Sequence, residues 1–201
     1  MLDYLAAKNK SSSARCAGRT IGTTHLIDRI ASARGLSVEE VNVGFKYFVE
    51  GLLSGRLLMA GEESAGMSVT NWVTEKDGLL AVFLLLEIMS ATGQDIAGLY
   101  KQLTELYGNP VYTRVDMPVT DEVKAKLNGF TEESLSYLKE VAGEKVLKIR
   151  TGDGVKVYLE ESWFLVRPSG TEAIVKFYAE TFKGEEHLSK ILEEGKKVFG
   201  I

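Results

Sequence analysis

Histidine and cysteine are almost missing from this chain: one cysteine, Cys16, and two histidines, His25 and His187, in 201 residues. A single cysteine excludes an intrachain disulfide and fits a reducing compartment, so the cytoplasm is the expected location. Cys16 reads as a small packing residue rather than a nucleophile. With so few soft ligands, no zinc site is expected. Positive charge is not in surplus either. Lys plus Arg number 24 against 28 Asp plus Glu, a net charge of -4, with no strongly basic face or run. That removes the electrostatic case for a nucleic-acid partner. Long apolar runs are lacking. The longest, Leu79 to Leu86, falls far short of the roughly 20 residues that span a bilayer. Met1-Leu2-Asp3-Tyr4-Leu5 carries an early acid where a signal peptide would sustain an apolar region. What remains is a composition ordinary for a soluble globular protein, long enough for one large domain or two small ones.

Taken in order, the pattern changes once. Leu2, Leu5 and Ala6 read as the tail of an amphipathic helix with no capping residue before it, which suggests a chain cut from something longer. Lys8 to Ser13 reads as a polar connector. Arg19 to Ile21 is expected as a strand. A helix follows, capped by Thr23 or Thr24 and ended by Gly35, with Leu26, Ile27, Ile30 and Ala31 on its apolar face. Val38 to Val43 is a second strand. Phe45, Phe48, Val49, Leu52 and Leu53 keep helical spacing up to Gly55. Leu57 to Ala60 is a third strand. This alternation predicts an α/β layered unit with a mostly parallel sheet. Asp77-Gly78 opens a helix apolar on nearly all sides, expected to be a buried central helix, and another runs from about Asp95 to Tyr107.

Gly108-Asn109-Pro110 is the expected boundary, dividing the chain into residues 1–108 and 109–201. Beyond it come a strand over Val111 to Val119 and a helix from Thr120-Asp121. A second helix is predicted over Thr131 to Ala142, opened by a capping-box pattern in which Ser134 replaces the usual acid. Val146 to Arg150 and Val155 to Leu159 flank a hairpin turn, Thr151-Gly152-Asp153-Gly154. Trp163 to Val166 and Ile174 to Glu180 make a second strand pair. A last helix carries Leu188, Ile191, Leu192, Val198 and Phe199 on one side. Strands in sequence with helices on one face define an α+β domain.

Two loops carry candidate chemistry. Gly61-Glu62-Glu63-Ser64-Ala65-Gly66 puts two carboxylates and a hydroxyl at a strand end, where open α/β sheets place ligands. Taken alone, these residues fit a solvated loop equally well. Arg167-Pro168-Ser169-Gly170-Thr171 has the parts of a phosphate site. Arg167 offers a planar donor fork, Ser169 and Thr171 offer hydroxyls, and Gly170 is expected to turn backbone N–H groups toward an anion. The competing reading is a tight strand connection with an incidental arginine. It is not a P-loop, because the glycine spacing and the lysine are missing.

Together the loops resemble the α-D-phosphohexomutase family, which includes phosphoglucomutase and phosphomannomutase. GEES at 61–64 matches the family's sugar-binding loop and RPSGTE at 167–172 its phosphate-binding loop. TTHLIDRI at 23–30, VGFKYF at 43–48 and EKDGLLA at 75–81 are also similar to family segments. The resemblance covers nearly the whole chain, but only the C-terminal half of the family's four domains. It implies a three-layer α/β/α domain III with a mixed, mostly parallel sheet, lacking its first residues. A smaller α+β domain IV follows, with an antiparallel sheet like that of the TATA-binding protein. The family's phosphoserine loop (TASHNP-like) and magnesium loop (DGDxDR-like) do not occur in this sequence. Thr151 to Gly154 is the nearest acidic loop and reads better as a hairpin; Ser11 to Ser13 lacks the phosphoserine loop's histidine and asparagine.

The resemblance implies a parent enzyme that interconverts hexose 1-phosphate and hexose 6-phosphate through a hexose 1,6-bisphosphate, with Mg2+. This part would lack catalytic and metal residues and be inactive alone. Glu62 and Ser64 would hold two neighbouring ring hydroxyls, O3 and O4. Arg167, Ser169, Gly170 and Thr171 would grip the phosphate that is not reacting. Lys46 is a further candidate contact, or simply an exposed helix lysine; His25 reads as structural or supporting. Glu63 leans the reading weakly toward glucose. The implied partners are the hexose phosphate and the missing N-terminal domains, with no nucleic acid or membrane. A stand-alone sugar-phosphate-binding protein is the runner-up, and an interaction module a third class.

Overall fold

In the computed structural model of the chain, residues 1–8 and 14–201 are described. Apart from Lys8, the connector read over Lys8 to Ser13 therefore lies outside the described residues. The chain divides into two compact units, Met1–Gly108 and Asn109–Ile201.

The first unit is a three-layer α/β/α domain. Its strands are β1 (Cys16–Thr20), β2 (Ser37–Val41), β3 (Leu57–Gly61) and β4 (Met67–Val69). They form one sheet in the order β2-β1-β3-β4. β1 pairs in parallel with both β2 and β3, while β4 runs antiparallel at the edge. The sequence reading did not include β4, which is only three residues long. Helix α1 is Leu2–Lys8 and α2 is Leu26–Ala33; a 3-10 turn, Phe45–Phe48, leads into α3, Val49–Leu53. Met59 and Ala60 are neighbours in β3 and so face opposite ways. Ala60 packs with Phe45, Phe48, Leu52 and Leu57, and Met59 with Met67, Leu84 and Ile88. The sheet is thus covered on both faces.

Helix α4 (Gly78–Thr92) corrects an expectation. Asp77 caps it, its carboxylate accepting the N–H groups of Leu79 and Leu80 at 2.9 and 3.1 Å. Leu84 and Ile88 are buried as predicted, but Leu79, Val82, Phe83 and Leu86 are 72, 55, 67 and 54% exposed. Only one side of the helix meets the sheet, through Met59, Met67 and Val69, so an all-round apolar sequence leaves the other side uncovered. Helix α5 (Ile96–Tyr107) runs where the sequence places it, and Asp95 caps it, accepting Gly98 N–H at 2.7 Å. Among the described residues no single helix is long and apolar enough to cross a membrane; α4 and α5 together are bent by 80°.

The second unit is an α+β domain. Its strands β5 (Val111–Pro118), β8 (Lys148–Arg150), β9 (Val155–Tyr158), β10 (Ser162–Pro168) and β11 (Ile174–Thr181) form an antiparallel sheet in the order β5-β11-β10-β9-β8. Helices α6 (Asp121–Asn128) and α7 (Glu185–Phe199) accompany it, and the buried cluster joins Phe164, Val166, Val175 and Phe177 of the sheet with Leu127, Leu188, Ile191 and Phe199.

The helix predicted over Thr131 to Ala142 does not form. The capping box does: Thr131 N–H donates to Ser134 Oγ at 3.0 Å, and Ser134 N–H to Thr131 Oγ1 at 3.1 Å. Turns follow it to Tyr137, and then a small hairpin, β6 (Glu140–Val141) with β7 (Glu144–Lys145). Its two turn residues, Ala142 and Gly143, have φ of 53° and 76°. Positive φ at both positions is the two-residue hairpin geometry. A start signal without an apolar face long enough to propagate makes a turn rather than a helix.

Candidate functional site

Each unit contributes one candidate loop. In the first unit, β1 lies between β2 and β3, so the chain leaves it in both directions. Strand order reverses there, and ligands of open α/β sheets bind at the carboxyl ends of strands beside such a point. Because the three strands are parallel, the segments after them leave from one edge. That edge brings together His25 ahead of α2, Lys46 in the 3-10 turn, and the 61–66 loop.

The loop is the β3–β4 hairpin connection. Glu62 N–H donates to the Gly66 carbonyl at 2.9 Å and Ala65 N–H to the Glu62 carbonyl at 3.1 Å, with Ala65 at φ 67°. The Glu62 side chain is 12% exposed, and its Oε2 lies 3.6 Å from Lys76 Nζ. Glu63 and Ser64 are exposed at the tip. Gly66 is needed for close approach: a Cβ there would lie 2.3 Å from Lys76 Cδ. The lysine stem crosses over the loop, and its ammonium sits 5.3 Å from the Phe45 ring centre. The Glu75 hydrogen bond, at 2.7 Å, outweighs desolvation and, with a lesser pull from Glu62, holds that ammonium above the ordinary lysine pKa. Lys76 was not among the residues singled out from sequence, although it lies in the EKDGLLA segment. Lys46 is exposed, its Nζ 5.1 Å from the Tyr47 ring centre. At the start of α2 it is Thr24 that caps, accepting Leu26 N–H at 3.1 Å.

In the second unit, Arg167 is the penultimate residue of β10, and the 169–173 loop returns to β11. Ser169 N–H closes the loop on the Ile174 carbonyl at 2.9 Å. Val119 N–H and Lys124 Nζ hold its far side, donating to the carbonyls of Ala173 (3.0 Å) and Glu172 (2.9 Å). Ser169 is buried, and its Oγ accepts the N–H groups of Thr171 and Glu172 at 3.4 and 3.2 Å. Those two amides turn inward to the serine. Ser169 keeps its own hydroxyl proton for donation. Gly170 does not occupy the left-handed region, and a Cβ built on it meets no atom of this chain within 4 Å. Gly170 N–H and Thr171 Oγ1 engage no group among the described residues. Arg167 Nε donates to Asp153 Oδ1 at 2.7 Å, and neither Nη donates to a protein group among the described residues. The outcome is a fork of guanidinium donors, two hydroxyls and one amide, the donor set that a phosphate accepts. Among the described residues no three His, Cys, Asp or Glu side chains cluster as metal ligands do.

Comparisons with known proteins bear on the family and the fold. Residues 1–107 match the family model for phosphoglucomutase/phosphomannomutase, alpha/beta/alpha domain III, and residues 117–197 match the model for the C-terminal domain of the same family. The phosphoglucomutase of Komagataeibacter xylinus is 40% identical over 190 residues, covering 88% of this chain and 34% of its own. The phosphoglucomutase/phosphomannomutase of Thermococcus kodakarensis is 30% identical over 179 residues, covering 89% and 36%. A crystal structure from Thermus thermophilus, described as a phosphomannomutase, superposes on the whole chain with a TM-score of 0.74 and 30% identity, using 39% of its own length. The chain belongs to the phosphoglucomutase/phosphomannomutase family. It carries that family's domain III and C-terminal domain, and spans about a third of the length of the relatives it matches.

Proposed function

We propose that this chain supplies the substrate-holding part of a phosphohexomutase that interconverts hexose 1-phosphate and hexose 6-phosphate through a hexose 1,6-bisphosphate. The observation that carries the reading is Arg167, whose Nε is occupied by Asp153 while neither Nη donates to a protein group among the described residues. Arg167, Ser169, Gly170 and Thr171 bind the phosphate that is not being transferred. A Cβ at position 170 would meet that phosphate rather than any neighbour in the chain.

Glu62 and Ser64 accept and donate hydrogen bonds to two ring hydroxyls, with Lys46 and Lys76 as cationic neighbours. A carboxylate that faces a single lysine keeps lone pairs for a hydroxyl. Phosphoryl transfer depends chiefly on positioning and on stabilising charge. Grip on the remote phosphate therefore places the reacting end, and its binding energy is expressed in the transition state. Magnesium and the bisphosphate belong to the complete enzyme, whose upstream domains would provide the metal ligands and the phosphorylated serine. The apolar side of α4 left uncovered here supports the presence of further domains, as does the length of the relatives.

The test is complementation. Alone, the chain should show no mutase turnover with glucose 1-phosphate or mannose 1-phosphate; with the upstream domains added, turnover should appear. Turnover by the chain alone would contradict the division of labour proposed here.

A further inference from the structure

The hairpin turn Thr151 to Gly154 is built against the strand that carries Arg167. Gly154 has φ +81°, and a Cβ on it would lie 2.5 Å from the Val166 carbonyl oxygen and 2.9 Å from Arg167 Cα. Pairing between β9 and β10 ends at Val155 opposite Val166, so the turn overhangs the next residue, Arg167. Asp153 projects from this turn to accept Arg167 Nε–H at 2.7 Å, with the two side chains only 17 and 27% exposed.

We propose that Asp153 is a positioning residue for phosphate binding. It fixes the Nε edge of Arg167 so that both Nη groups are presented as a fork. The inference rests on the phosphate reading of Arg167 given above. An arginine side chain has high rotamer entropy, and a guanidinium held at one edge loses less on binding than a free one. The alternative, an incidental acid, has the opposite electrostatic sign. A carboxylate beside a phosphate site repels the anion, so removing it should tighten binding. Positioning predicts that binding weakens instead.

The experiment titrates the chain with glucose 1-phosphate and, separately, with inorganic phosphate. Wild type is compared with D153A, D153N and R167A, and the Nε–Hε NMR signal of Arg167 is followed. D153A should bind glucose 1-phosphate roughly tenfold more weakly, and its Arg167 signal should lose protection from exchange. D153N keeps an oxygen that can accept Nε–H, so it should stay within about twofold of wild type or bind more tightly. Wild-type or tighter binding by D153A, with R167A still weakened, would overturn the positioning role while leaving the phosphate site intact. Unchanged binding by R167A would overturn the phosphate reading itself. The exchange behaviour of the Arg167 signal in D153A would then judge the side-chain geometry independently.

Discussion

Glu62 and Lys76 face each other across Gly66, with 3.6 Å between carboxylate oxygen and ammonium nitrogen and the lysine stem lying where a Cβ on Gly66 would go. Replacing Gly66 by Ala should therefore lift Lys76 away from Glu62. Lys76 is flexible and 42% exposed along its side chain, so unfolding free energy should change by less than about 1 kcal/mol. Affinity for glucose 1-phosphate should fall several-fold, by about 1 kcal/mol. Calorimetry and a ligand titration on the same variant separate the two effects.

Arg19 is the buried hinge of the first unit's electrostatics. Its side chain is 3% exposed and forms two bonds to Asp28, at 2.6 and 2.9 Å, and one to Glu40 at 2.5 Å. Burial works against its charge, but the two carboxylates more than compensate and raise its pKa. Arg19→Met would leave both acids without that partner. It should destabilise the first unit by about 3–5 kcal/mol, read by denaturant titration.

Glu144 should make the second unit acid-sensitive. It is 1% exposed and accepts the Ser162 hydroxyl at 2.5 Å and Glu161 N–H at 2.6 Å, with His187 Nε2 also on Oε1. Burial alone would raise its pKa, but these bonds and Lys183 outweigh it and lower the value. A folded-state pKa below the unfolded one, about 4.3, contributes stability above that value, lost as pH falls through the folded pKa. Glu144→Gln should cost about 1–3 kcal/mol at pH 7. The gap from wild type should narrow below about pH 4.3.

Helix α4 gives a paired test of the corrected burial. Phe83→Gln should shift stability by no more than about 0.5 kcal/mol, because the ring is 67% exposed. Ile88→Ala, at 4% exposed, should cost about 2–4 kcal/mol. Similar losses in both would mean that the outer side of the helix is covered within this unit.

Much of this was legible in the sequence. The β-α-β rhythm, the helix starts near Asp77 and Asp95 and the Thr151 to Gly154 turn all rest on local signals that the structure reproduces. The misses share one cause. Whether α4 is covered, whether the Thr131 capping box propagates, and what Asp153 touches are decided by distant neighbours, which local spacing does not encode. Lys76 was missed because its role depends on a stem folded back over Gly66.

The most direct test of the central claim is a titration of this chain with glucose 1-phosphate, wild type against Arg167→Ala. The account predicts saturable binding by the wild type and a loss of about 1.5–3 kcal/mol in the variant, the worth of a charge-assisted phosphate contact. Equal affinity in the two proteins would contradict it.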